Sequence, residues 1–441
     1  MKQNRKQNRL PAGPKSGSRG VPLTDRFRRF LRTLGPGLIT GAADDDPSGI
    51  GTYSIAGAQF GYATLWTSWF ALPLMAATQL ICARLAMVTG RGLAALIRTR
   101  FGSRILWPAC ILLAIANIVN IGADLGAMAA STAMVVGGRP YYFTPFYCFL
   151  LLALMIWTSY RRIARILKWL TLVLFAYIIA AFLAQPAWPD VLRATLIPRI
   201  QWSSSYIATF VALFGTTISP YLFFWQASQE IEEERDQGRT TVAQRRGATS
   251  REKRDRRLDV IAGAVFSNLI MYFIILTTGA TLHAHGQTHI ATTQQAAEAL
   301  RPLAGRITYL LFTLGIVGTG MLSVPVLAGS TAYAIAEAAK WPDSLKFTLG
   351  RAPQFYGIMA GAFVLGLGLN LAHFGVVSML FWSAVINGVL APPLLVLIVR
   401  MVSDRTLMDG DIASRPLRAL GWLTAAVLAL ASLALLATAV L

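Results

Sequence analysis

Charge is scarce in this chain of 441 residues: Asp, Glu, Lys and Arg make up 14%, against 55% for hydrophobic residues. A soluble protein of this length needs far more polar surface. Cysteine is nearly absent. Cys82, Cys110 and Cys148 are odd in number, lie in apolar runs and lack ligand spacing, so neither a disulfide framework nor a thiolate metal site is indicated. There is no GxxxxGK[ST] nucleotide loop, no HExxH and no nucleophile elbow. The expectation is a non-enzymatic chain without a bound cofactor. Residues 1–32 lack the apolar core of a signal peptide and read as a disordered basic tail.

What the chain does have is long apolar runs, and crossing a bilayer takes about 20 such residues. Spans are expected near 35–58, 64–86, 106–134, 143–159, 166–185, 206–227, 260–281, 306–336, 354–372, 375–399 and 419–440, eleven in one transmembrane domain over 33–441. The net charge of +20 is a topology signal. With the N-terminus cytoplasmic, only Arg139, Arg193, Arg199, Arg301 and Arg306 fall on the outer side, and the other 35 of 40 basic residues fall on the inner side or its span ends. Basic residues stay cytoplasmic during insertion, so the C-terminus is expected outside, in a cell membrane or, in a prokaryote, the inner membrane. The partner is the lipid bilayer; no nucleic acid and no protein partner is expected. The segment 228–258 ("SQEIEEERDQGRTTVAQRRGATSREKRDRRL") is too charged for the bilayer and reads as a cytoplasmic loop, partly helical or disordered.

Two spans are interrupted. Span 1 contains "GAADDDPSGIGTY", three carboxylates followed by Pro47, and span 6 contains "FGTTISPYLFFWQ", with Pro220 at mid-depth. Proline removes a backbone donor and clashes with the preceding turn. Breaks five spans apart match inverted repeats of spans 1–5 and 6–10, with span 11 added. An unwound helix at mid-membrane exposes carbonyls that a cation satisfies, and carboxylates nearby supply the charge. Asp46 immediately precedes the break and is the leading ligand. Asp44 and Asp45 lie about 100° apart on a helix and cannot all share one ion with it. They are candidates for a wet vestibule, with Asp45 kept as a further ligand. Arg84 is the only near cation that could pair with them.

On span 3, Asn117, Asn120 and Asp124 are spaced i, i+3, i+7 and share a face. Such a stripe suits either an ion or proton crevice or a hydrogen-bonded helix contact. Asn387, Pro392 and Pro393 suggest a kink in span 10. His283, His285 and His289 form either a weak metal trap or a solvated loop, of which the loop is the commoner.

With those residues in hand, the chain resembles the natural resistance-associated macrophage protein (NRAMP) family of divalent metal transporters, in its divergent branch. "GPGLITGAADDDPSGIGTYSIAGAQFGYATLW" is similar to that family's first helix, "ICARLAMVTGRGLA" to the end of its second, "LKWLTLVLFAY" to its fifth, "FGTTISPYLFFWQAS" to its sixth and "FSNLIMYFII" to its seventh. The resemblance implies an all-α, LeuT-type fold with helices 1 and 6 broken, and metal uptake, often with protons. It also exposes departures. The family's Asp-Pro-Gly-Asn is Asp46-Pro47-Ser48-Gly49 here, so the aspartate stays and Gly49 replaces the asparagine ligand. Ala-Thr-Val-Met-Pro-His is Thr216-Thr217-Ile218-Ser219-Pro220-Tyr221, leaving a Thr216 carbonyl and the Ser219 hydroxyl in place of a methionine sulfur. Ser-Gln in span 10 is Ser383-Ala384. The third-helix aspartate is Asp124, but the neighbouring glutamates are Asn117 and Ala127, and the sixth-helix histidines are Tyr221 and Gln226.

Thioether sulfur favours soft metals, and oxygen suits Mg²⁺, Ca²⁺ and Mn²⁺. The implied function is secondary transport of a hard divalent cation, Mg²⁺ or Mn²⁺, with weak or absent proton coupling. A LeuT-type symporter of an organic amine or amino acid is the alternative, resting on Tyr53, Tyr221 and Trp225. A non-transporting sensor acting through 228–258 is the third reading.

Overall fold

A computed structural model describes residues 40, 41, 43–158, 170–372 and 375–440. The tail over 1–32 and the starts of spans 1 and 5 lie outside the described residues. Among the described residues all regular structure is helical, and nine helices are long and apolar enough to cross a membrane. They correspond to expected spans 2, 3, 4 and 6–11, with span 6 counted through its break. The other two of the eleven are described only in part. Span 5 is represented by the short apolar helix Phe175–Leu183.

Span 1 breaks where expected. Thr40, Gly41, Ala43 and Asp44 are helical, Asp45 and Asp46 are not, and helix α1 runs over Pro47–Phe60. The reason is local: a residue before proline is pushed out of the α region, while proline itself suits the first helical position. Asp46 sits at ψ 169° and Pro47 opens the helix. The same grammar splits span 6. Helix α2, Ser204–Thr217, ends at Ile218; Ser219 is extended at φ −75°, ψ 136°; and Pro220 opens helix α3, Pro220–Asp236.

Around these breaks pack the helices Trp66–Thr89 (α4), Ser103–Val136 (α5), Ser250–Thr281 (α6), Thr308–Ala339 (α7), Pro353–Leu371 (α8), Val376–Ser403 (α9) and Arg415–Val440 (α10). α1 lies against α2, α6 and α9. The contact of α2 with α9 is close because both helices present glycine. A Cβ on Gly215 would strike the Ala384 carbonyl and the Gly388 backbone. Large apolar side chains left outward, such as Ile111, Ile115, Phe149, Leu430 and Leu433, form the surface suited to lipid.

Pro392 and Pro393 lie inside α9, which is assigned as one helix over Val376–Ser403. The charged segment 228–258 is partly helical: α3 extends to Asp236 and α6 starts at Ser250, leaving 237–249 as the connection. Several of its charges are buried and neutralise one another, while Arg251, Arg254 and Arg257 face outward. Glu230, Glu232 and Glu234 are buried. Arg256 holds Glu230 at 2.6 Å, Asp259 at 2.7 Å and Glu233 as well, while Arg235 takes Glu232 at 2.8 Å and Asp343 at 3.0 Å.

Candidate metal-ion site at the helix breaks

Asp46 caps α1, its Oδ1 accepting from the Gly49 N–H at 2.6 Å. Its Oδ2 accepts from the side-chain amide of Asn120 on α5, at 2.9 Å. One turn further along α5, Asp124 accepts from the Ser48 N–H at 3.2 Å and from the Ser323 hydroxyl of α7 at 3.3 Å. The broken helix is therefore clasped by two residues of the predicted stripe. Asn117 is not one of them. Its amide turns to α7, donating to the Leu327 carbonyl at 3.1 Å and to the Ser330 and Thr331 hydroxyls at 2.9 Å, the helix-contact reading of the stripe.

The sixth-span residues close the other side. A side chain at Gly49 would lie 3.1 Å from Thr216 Oγ1, 3.3 Å from the Asp44 carbonyl and 3.4 Å from Asp46 Oδ1, so glycine here lets the two breaks approach. The Ser219 hydroxyl donates to the Gly215 and Thr216 carbonyls, both at 2.7 Å, tying off the end of α2. Ser383 reaches Ser48 across 3.4 Å. The Tyr221 phenol donates to the Ala43 carbonyl at 3.2 Å. Gln226 lies further along α3, accepting from Thr40 at 2.9 Å and donating to Glu230 at 2.7 Å. Through Arg256 that line continues to Asp259.

Asp44 and Asp45 face α6, not α5. Ser267 donates to Asp44 Oδ2 at 2.6 Å and lies 3.3 Å from Asp45 Oδ1. Asp44 Oδ1, Asp45 Oδ2 and Asn120 Oδ1 are buried with no hydrogen-bond partner. Arg84 is committed elsewhere, to Asp411 at 2.5 Å. Among the described residues no Lys or Arg pairs with Asp44, Asp45, Asp46 or Asp124, although all four are at most 1% exposed. Nor do three or more His, Cys, Asp or Glu gather there to hold a metal. The oxygens on offer are carboxylate, amide, hydroxyl and carbonyl, a set that suits a hard, partly hydrated cation in passage.

The site is closed to solvent. A 630 Å³ cavity at the far end of α1 is lined by Ile55, Gln59, Thr209, His289 and Phe381 and stops short of Asp46. His283 bonds the Ala58 carbonyl at 2.8 Å and His285 the Thr281 carbonyl at 2.5 Å, so both serve helix ends. Sequence reasoning missed Ser267 and Ser323. Ser267 stood in "FSNLIMYFII", where a polar residue in an apolar run was the available signal.

A sequence model of the family described as "Natural resistance-associated macrophage protein-like" matches residues 37–438. The "Divalent metal cation transporter MntH" of Deinococcus radiodurans is 27% identical over 427 residues, covering 94% of this chain and 90% of the relative. Among solved structures, the Eremococcus coleocola manganese transporter is similar at a TM-score of 0.73 and 19% identity, with 96% of this chain and 88% of that one covered. MhsT in complex with L-phenylalanine is similar at 0.56 and 12%, over 92% and 97%. The all-helical, LeuT-type fold with two broken helices is thereby the fold of this chain.

Proposed function

The chain belongs to the natural resistance-associated macrophage protein family, and we propose that it is a secondary transporter importing divalent metal cations, of the hard class of Mg²⁺ or Mn²⁺. One observation carries the reading: four buried acids at and beside a helix break have no basic partner among the described residues. An uncompensated buried charge costs several kcal/mol, so a cation is the partner such a site lacks. Asp46 is the central ligand, with Thr216, Ser219 and the backbone at Gly49 around it and Asp45 to the α6 side. Asp124 and Asn120 hold the broken helix in register. Hydroxyl and carboxylate oxygen favour Mg²⁺ or Mn²⁺ over softer ions. The basic end of the bundle is the cytoplasmic one, which sets the N-terminus inside and the C-terminus outside.

The amine-symporter alternative needs free aromatic surface. Tyr53 is fully buried in the core, Tyr221 is bonded to Ala43, and Trp225 packs on Gly329 and Tyr333, so all three are occupied by packing. The deciding experiment is uptake by proteoliposomes of the full chain across Mg²⁺, Mn²⁺, Ca²⁺, Fe²⁺ and a set of amino acids. Saturable entry of Mn²⁺ or Mg²⁺ supports the proposal. Amino-acid entry without metal entry overturns it.

A further inference from the structure

The basic end of the bundle carries a cavity whose lining includes none of the residues at the helix breaks. It measures 730 Å³ and lies between the ends of the helix Leu93–Phe101, α9 and α10, lined by Arg100, Arg400, Arg418, Ser403, Asp404 and Trp422. Three guanidinium groups face one carboxylate. That carboxylate is already used: Asp404 holds Arg100 at 2.6 Å and accepts from the Thr406 and Leu407 N–H groups at 2.9 and 3.2 Å. Arg400 and Arg418 have no acidic partner among the described residues, and Arg418 Nε is buried without a hydrogen bond. A cavity with two uncompensated arginines is matched by an anion that accepts several hydrogen bonds, which is the chemistry of a phosphate.

What lies next to the cavity decides between a free phosphate and a lipid. Arg418, Trp422, Ala426 and Leu430 recur at i, i+4, i+8 and i+12 and so lie near one another along one side of α10. Trp422, Ala426 and Leu430 are all exposed, and Leu433 continues the strip. A polar pocket therefore opens, one helical turn later, onto an indole and then a strip of outward apolar side chains. Indole rings favour the headgroup level, and basic pockets at the cytoplasmic ends of helices suit anionic headgroups. We propose that this cavity binds an anionic phospholipid, its phosphate held by Arg400 and Arg418 and its acyl chain lying along Trp422, Ala426 and Leu430.

The test is native mass spectrometry of the full chain released from nanodiscs of phosphatidylcholine containing phosphatidylglycerol, with thermal stability read in parallel. The wild type should retain phosphatidylglycerol in preference to phosphatidylcholine. Arg400→Gln with Arg418→Gln should lower that retention by about 30-fold, as expected for two basic contacts at an anionic surface. Arg400→Lys with Arg418→Lys should keep most of it, and Arg254→Gln, an exposed arginine elsewhere at the same end, should leave it unchanged. Equal retention by the double Gln variant, or an equal loss in Arg254→Gln, overturns the site. Stabilisation by inorganic phosphate equal to that by phosphatidylglycerol overturns the lipid as its occupant. If the double Gln variant does not fold, loss of phosphatidylglycerol from Trp422→Ala serves as the same test, and undiminished retention there counts against the proposal.

Discussion

Asn120 donates its side-chain amide to Oδ2 of Asp46 at 2.9 Å, joining α5 to the helix break across 74 residues of chain. The bond leaves Asn120 Oδ1 buried and unpartnered beside the carboxylate. Both carboxylate oxygens of Asp46 are thus held by neutral donors, which orient the group without cancelling its charge.

Asp46→Ala is therefore expected to abolish metal binding and uptake, because it removes the charge and the helix cap together. Asn120→Ala keeps the charge and frees one oxygen; a buried hydrogen bond to a charged group is worth about 1.5–3 kcal/mol, so affinity should fall by about tenfold or more. Calorimetric titration of the purified variants with Mn²⁺ measures both. Unchanged affinity in folded Asp46→Ala protein would remove the break as the site.

Ser219→Met tests selectivity. The hydroxyl now ties the Gly215 and Thr216 carbonyls, and methionine would release both while adding a soft ligand. Competition of Cd²⁺ against Mn²⁺ should move toward Cd²⁺ by about tenfold, the effect of ~1.4 kcal/mol of added contact. Ser219→Ala is the control, since it frees the same carbonyls without supplying sulfur. Equal shifts in the two variants would mean that residue 219 does not reach the ion.

The two breaks were legible in sequence because their cause is local: an Asp-Pro and a Ser-Pro step each force one residue out of the helix, whatever surrounds them. The stripe on span 3 was half legible. Spacing placed Asn117 with Asn120 and Asp124, but the stripe is broad enough that its near end meets Ser330 and Thr331 on α7. Partners such as Ser267 for Asp44, 223 residues apart, leave no mark on local pattern. In 228–258 the charge count pointed to a partly helical or disordered segment outside the bilayer but not to which charges are buried: Glu230 and Arg256 solvate each other.

That pair is the basis of a third prediction. Arg256 links α6 to α3 through Glu230, and Gln226 passes the connection on to Thr40 on the first half of the broken helix. Removing one member of a buried pair costs about 3–5 kcal/mol, because the other charge is left buried. Arg256→Gln should lower the melting temperature markedly, and Glu230→Gln less. The double variant should cost less than the two single changes added together. Additive melting shifts across the cycle would mean that the two residues do not act as a unit.

Transport is expected to be weakly coupled to protons or uncoupled. A coupled carrier needs titratable groups leading away from the metal aspartate. On the α3 side the positions that the family fills with histidine hold Tyr221 and Gln226. A phenol ordinarily titrates near about 10 and an amide not at all. On the α5 side Asp124 is bonded to Ser48 and Ser323, and the polar groups that follow toward the basic end, Asn120 and Asn117, are amides, one bonded to Asp46 and the other spent on α7. Among the described residues neither side offers an unbroken chain of groups that exchange protons at neutral pH. Proteoliposomes loaded with a pH-sensitive dye, with metal entry followed at the same time, measure the ratio directly. Metal entry driven by membrane potential with a flat dye signal is the expected outcome. Stoichiometric acidification would show that Asp46 and Asp124 carry protons by themselves and would overturn the reading of Tyr221 and Gln226 as a lost relay.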